Sequence, residues 1–237
     1  MQLLHQTISK LKGFKEWFDT LSLHESQLVL GLSGSVKHLA ESCAFEKLDK
    51  QLVIVTPTLL QATQTYEELS EWYDDEVVHL FPVEESLAAD FSVVSPDVVS
   101  QRIRTLDFLS RGEKGIVIVP LSGIQKLLVP AAVWKKSSIE LSMGSEIESM
   151  DAFVEQLVEL GYRRENMVAT PGEFALRGSI VDIYPLDQEY PLRLDFFDTE
   201  VDSIRAFNAE TQRSMDVINE VRILPATDLP LQKEAVW

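Results

Sequence analysis

Gly31-Leu32-Ser33-Gly34-Ser35-Val36-Lys37-His38 is the stretch of this chain whose residue types and spacing come nearest to chemistry. A glycine-rich turn between a strand and a helix can cradle phosphates with its backbone N–H groups. For that it needs a glycine before the lysine, and a Ser or Thr after it to hold Mg²⁺. Here Val36 takes the glycine position and His38 the hydroxyl position, so Lys37 alone remains of the triplet. A β-branched residue at Val36 restricts the backbone. A neutral imidazole is also a poor ligand for a hard cation that prefers oxygen. Gly31, Gly34, Ser35 and Lys37 therefore read as a degenerate phosphate loop. One reading is a nucleotide site with weakened chemistry. The favoured one is a plain strand-to-helix turn, with Gly34 as breaker and Ser35 as helix cap.

Other chemistry is absent by spacing. His5, His24, His38 and His79 lie far apart and show no metal-ligand pattern. Cys43 sits among Leu39, Ala40 and Ala44 and reads as core. No GxSxG or HExxH motif occurs. The adjacent pairs Glu84-Glu85 and Asp74-Asp75 do not converge on one point in a helix or strand, and read as solvated.

The elements that position these residues change character along the chain. Leu28–Leu32, Gln51–Val55, Val77–Phe81 and Gly115–Val119 are short apolar runs that read as buried strands. Helical patterns separate them: Val36–Leu48, Leu59–Tyr73 after Thr56-Pro57-Thr58, and a stretch opened by Pro96. That order predicts a parallel α/β sheet. From Trp134 the strands lengthen and alternate. Ser138–Leu141 leads to a helix over Met150–Leu160, followed by runs at Phe174–Tyr184, Leu192–Phe197 and Val201–Phe207. Asp198-Thr199-Glu200 fits a hairpin connection. The expected fold class is α/β: a parallel-sheet, degenerate P-loop NTPase-like domain over residues 1–133, plus a smaller α+β domain with an antiparallel sheet over 134–224. Residues 225–237 start a return to the first domain.

The chain has 237 residues, with 21 Lys plus Arg against 38 Asp plus Glu, a formal charge of −17 that argues against a stand-alone nucleic-acid binder. Residues 151–220 hold 15 acids and 6 arginines but no lysine. No apolar stretch approaches the roughly 18–20 residues of a membrane span, the start lacks a secretory pattern, and one cysteine suits a reducing compartment. A soluble, cytoplasmic protein with no membrane partner is expected.

Three signatures of the second half carry a resemblance: Pro171–Pro185 (PGEFALRGSIVDIYP), Tyr190–Asp198 (YPLRLDFFD) with Val201–Arg205, and Thr211-Gln212-Arg213-Ser214. With Gly31–Ser35, Ser95-Pro96-Asp97 and Gln101-Arg102-Ile103, the chain resembles the bacterial transcription-repair coupling factors, the Mfd family, over nearly its whole length. The part it resembles is the N-terminal module similar to the excision-repair protein UvrB. The resemblance implies an adaptor that binds UvrA and recruits nucleotide excision repair to a stalled RNA polymerase. UvrB itself has an intact phosphate loop and a long DNA-clamping hairpin; the loop here is degenerate, and Phe81–Ser95 looks too short for that hairpin. The family's full-length members are ATP-dependent DNA translocases. ATP, Mg²⁺, RNA polymerase and DNA are thus expected only at downstream domains beyond Trp237, with no cofactor and no catalysis in this fragment. The competing readings are a P-loop ATPase or helicase lobe and a UvrB-like damaged-DNA binder.

The resemblance also assigns the UvrA contacts: Arg164, Arg177, Arg193 and Asp195, with Ala175 where UvrB has a further arginine. Arginine suits an interface because its planar fork holds a carboxylate with two bonds. Alternation opposite Leu176 and Leu194 points Arg177 and Arg193 outward. The alternative is that each arginine pairs with a local acid, Asp182, Asp195 or Asp202, and only satisfies the sheet.

Overall fold

The computed structural model describes residues 12–21, 26–83 and 95–230. Two compact units account for the chain. Met1–Glu85 and Gly112–Lys126 make the first; Ser86–Arg111 and Leu127–Trp237 make the second.

In the first unit the Val/Ile-rich runs form a three-stranded parallel sheet. Strands β1 (Leu52–Thr56), β2 (Val78–Leu80) and β3 (Ile116–Pro120) lie in the order β1-β3-β2. The central β3 is buried at every position, as expected of a strand covered on both faces. Helices α1 (Lys12–Thr20) and α2 (Ser35–Leu48) precede β1, and α3 (Leu59–Ser70) lies between β1 and β2 in sequence. Thr58 starts α3, its side chain accepting from the Gln61 N–H at 3.3 Å. Ala62 and Leu69 of α3 join Phe45, Ile54, Val78, Leu80, Ile116 and Ile118 in one core.

The strand expected at Leu28–Leu32 does not form. Residues 26–30 lie outside any strand, with Leu28 83% and Leu30 78% exposed. An apolar run becomes a strand only where a neighbour completes its backbone hydrogen bonds, and among the described residues no strand pairs with this one. The Gly-Ser turn therefore precedes a helix but does not follow a strand.

The second unit holds α4 (Pro96–Arg111), α6 (Ala131–Lys136), α7 (Met150–Glu159) and eight strands, a short helix α5 (Leu121–Ile124) in the first unit intervening in sequence. Strands β5 (Arg163–Arg164), β6 (Glu173–Arg177), β7 (Ile180–Ile183), β8 (Leu192–Phe197), β9 (Glu200–Phe207) and β10 (Ser214–Ile218) form one sheet in the order β10-β9-β8-β7-β6-β5. All its pairs are antiparallel except β5 with β6. A second, two-stranded sheet pairs β4 (Ile139–Ser142) with β11 (Glu220–Ile223).

The alternating run expected over Phe174–Tyr184 is a hairpin, not one strand. It turns at Gly178-Ser179, where Gly178 has φ +63°, a conformation glycine adopts at little cost. The Asp198-Thr199 connection between β8 and β9 is the hairpin read from sequence. Ser149 caps α7 by accepting from the Ala152 N–H at 3.1 Å. Phe153, Leu157 and Leu160, at helical spacing, then bury against Phe174, Val181, Ile183, Leu192, Leu194, Phe196 and Ile204.

Helix α4 groups with the second unit, unlike a single division at Trp134. Its side chains explain why. Ser100 donates to the Leu186 carbonyl, Arg104 to the Asp187 carbonyl at 3.0 Å, and Asp107 pairs with Arg222 at 2.9 Å. Arg102, 5% exposed, also pairs with Asp228. The expected return segment 225–237 is described only to residue 230, and most of the Phe81–Ser95 span falls outside the described residues.

Candidate partner-binding face

The Gly-Ser turn holds little that could work on a nucleotide. Gly34, φ +57°, is the residue before α2 and supplies no side-chain cap; Ser35 is the first helical residue, not the expected cap. Lys37 Nζ lies 3.7 Å from Glu41 on its own helix. His38 is buried, with Nδ1 2.9 Å from Glu41 and Nε2 3.9 Å from Glu68. Two carboxylates thus flank the position where a phosphate loop would present a hydroxyl. Cys43 is buried, and burial with nearby Glu46 lifts its thiol to about 11, so it is a core residue and a poor nucleophile. Among the described residues no group of three His, Cys, Asp or Glu could hold a metal ion, and no helix is long and apolar enough to cross a membrane. His5, His24 and Glu84-Glu85 lie outside the described residues.

The six-stranded sheet is different. Residues that alternate with its core set lie on the opposite face. Two cross-strand rows run there. One is Ala175, Asp182, Arg193 and Arg205; the next is Arg177, Ile180, Asp195 and Ser203.

Asp182 organises these rows. It is 0% exposed and accepts from two arginines. Arg193 grips it with both ends of its fork, Nε to Oδ1 at 2.7 Å and Nη2 to Oδ2 at 2.9 Å. That bonding to Asp182 pushes the Arg193 pKa further up. Arg193 also lies over the fully buried Phe207 ring, 4.6 Å from its centroid, in a cation–π contact. Arg177 reaches the same carboxylate with Nη2 alone, and its side chain is 47% exposed.

The predicted residues therefore part company. Arg177 and Asp195 share a row, and Asp195 accepts a long hydrogen bond from Ser179. Arg193 is only 20% exposed, its donors engaged by Asp182 and the Gln212 carbonyl. For Arg193 and Arg177 the local-acid pairing read from sequence is the geometry found, at Asp182. Arg164 is exposed on the edge strand, in register with the core-face Phe174. Its neighbour Arg163, in register with Glu173 and 3.5 Å from it, is the one on the charged face.

Sequence reasoning also missed residues here. Phe197 follows Asp195 by two and so shares its face, yet it is 78% exposed. The alternation placed it outward, but nothing in the pattern said it would stay uncovered. Arg205 stands directly across from Arg193, is exposed, and among the described residues has no ion-pair partner. Glu173 anchors the β5 edge. Burial alone would raise its pKa, but the N–H groups of Ala169 and Thr170 and the Thr170 hydroxyl, at 2.8–2.9 Å, outweigh that and hold it below its ordinary value.

Residues 139–229, which contain this whole face, match the UvrB interaction domain family. Nearly the full chain also aligns with longer proteins. It is 44% identical over 229 residues to a transcription-repair-coupling factor of Staphylococcus epidermidis, covering 97% of this chain and 19% of that protein. It is 40% identical over 215 residues to the Bacillus subtilis factor, covering 90% and 18%. Over nearly its whole length the chain is similar to these transcription-repair-coupling factors. It spans about a fifth of the length of these relatives. The matched range takes in β4, α7 and the six-stranded sheet, so the arginines of that sheet, Asp182 and Phe197 all lie inside it. Helix α4, which the second unit also holds, precedes the matched range.

Proposed function

We propose that this chain is the adaptor module of a transcription-repair coupling factor, binding UvrA so that nucleotide excision repair reaches a stalled RNA polymerase. The observation that carries it is a sheet face inside the matched range, on which a half-exposed Arg177 shares a cross-strand row with Asp195 and Phe197 is exposed. Fully desolvated arginines and aromatics at the centre of a contact carry most interface energy. Arg177 and Asp195 are the central contacts, Arg193 supports them from beneath, and Arg164 contributes from the edge.

In this role residues 134–224 are the UvrA-binding domain, 1–133 a degenerate P-loop-like scaffold, and 225–237 the return. The module sits at the N-terminus of a cytoplasmic protein and turns over no ATP. ATP, Mg²⁺, DNA and RNA polymerase belong to other domains of the whole factor. The formal charge of −17 favours a protein over DNA as the direct partner.

Titration calorimetry with purified UvrA tests this, with a DNA gel shift as control. The wild-type chain should bind UvrA and not shift DNA, and Arg177→Ala should cost about 2 kcal/mol of affinity with an unchanged melting curve. Wild-type affinity in Arg177→Ala, or salt-dependent DNA binding without UvrA binding, would refute it.

A further inference from the structure

We propose that Asp182 is a positioning residue of this face: a buried carboxylate that orients the Arg177 guanidinium toward an acidic side chain of the partner. This rests on the UvrA-binding role above and assigns a task to a residue that does not itself reach the partner.

A carboxylate at 0% exposure, on a face that also buries Ala175 and Phe207, is costly to desolvate. Replacing such a buried pair with apolar residues is often neutral or stabilising, so net stability is a weak reason for its presence. Its geometry offers a better one. Ala175 lies directly across from Asp182 and offers it no polar partner, so Arg177 and Arg193 supply its hydrogen bonds. Arg193 takes both oxygens and is pinned on Phe207. Arg177 takes one bond through Nη2. Among the described residues Arg177 has no second polar partner, which leaves Nε and Nη1 free to donate.

The charge count points the same way. Two guanidiniums share one carboxylate, so the cluster carries an excess positive charge, and Arg177 is the member that presents it. Long side chains lose rotamer freedom when they bind, and a side chain already held loses less. A partner carboxylate meeting Arg177 therefore finds a planar fork that is already oriented. Asp195, in the same row beyond Ile180, would face a partner donor or cation. The matching surface is a protein bearing an acidic group opposite Arg177 and a basic or donor group opposite Asp195.

A double-mutant cycle decides it, using purified UvrA and the full chain with Arg177→Ala, Asp182→Asn and both. Arg177→Ala should weaken binding about 30-fold and Asp182→Asn about tenfold, while the double variant binds within about twofold of Arg177→Ala. Unchanged or tighter binding by Asp182→Asn, or losses that multiply in the double variant, would overturn the positioning role while leaving the UvrA role intact. Wild-type affinity in Arg177→Ala overturns the UvrA role beneath it as well. A second readout does not depend on the variants folding. In the free wild-type chain, nitrogen-edited NMR should show hindered rotation of the Arg177 guanidinium, and free rotation there would equally overturn the proposal.

Discussion

On one face of the six-stranded sheet Leu192, Leu194 and Phe196 lie dry beneath α7; on the other, Arg193, Asp195 and Phe197 of the same strand face away from it. The dry face is closed by Phe153 and Leu157, the Phe153 and Phe196 rings standing 5.6 Å apart. The charged face buries a smaller apolar set, Val168, Ala175 and Phe207 with Tyr184, and adds hydrogen bonds and ion pairs among its own residues. One strand thus feeds both faces, and the period of two separates them. Burial of apolar area makes the first face the seat of stability. The second can vary in what it presents without dissolving the fold, which is where a binding surface belongs.

The largest effect that should divide the faces is Leu157→Ala. This fully buried helix residue should cost about 2–5 kcal/mol in chemical denaturation, far more than any substitution opposite it. A loss near that of a surface variant would mean the core does not close as described. Phe197→Ala should do the reverse. It should weaken UvrA binding by about 1–2 kcal/mol and leave denaturation unchanged, because an aromatic 78% exposed has little burial to lose.

Glu173 tests whether the charged face has structural members too. Its folded pKa is below its ordinary value of 4.5, so the unfolded chain binds the proton more readily. The stabilisation is complete above that ordinary value and disappears as pH falls through the lowered folded value. Glu173→Gln should therefore lose about 1 kcal/mol at neutral pH and show a flatter stability profile on the acid side, read by thermal melts across pH. An unchanged acid limb would remove it from the structural set. The smallest effect belongs to Lys37→Ala, in the other unit. It should change stability by no more than about 0.5 kcal/mol, as for an exposed i,i+4 pair, and leave UvrA affinity untouched. An ATPase rate that this substitution abolished would contradict the adaptor role.

Much of this was legible in the residues. The alternation of Leu192–Phe197, the hairpin at Asp198-Thr199 and the α7 spacing of Phe153, Leu157 and Leu160 all appear as read. They are local periodicities, which a single element decides. The misreadings share another cause. Leu28–Leu32 looks like a strand but has no strand beside it, and Phe174–Tyr184 keeps its alternation on either side of a turn that only Gly178 marks. Separately, Arg163 and Arg164 are adjacent, and the register of β5 against β6 decides which face each takes, without bearing on the contact expected of Arg164.

By itself the sequence determined the residue types, the periods, the degenerate loop and the acidic background from which a few arginines stand out. The tertiary structure alone decided that Arg193 is spent on Asp182 and Phe207 while Arg177 keeps donors free, that Phe197 stays uncovered, and that α4 joins the second unit through Asp107 and Arg222. The physical reason is distance along the chain. Periodicity is set by neighbours a few residues apart, whereas the partners of Asp107 and Phe207 are brought to them by sheet register and helix packing, which no local pattern encodes.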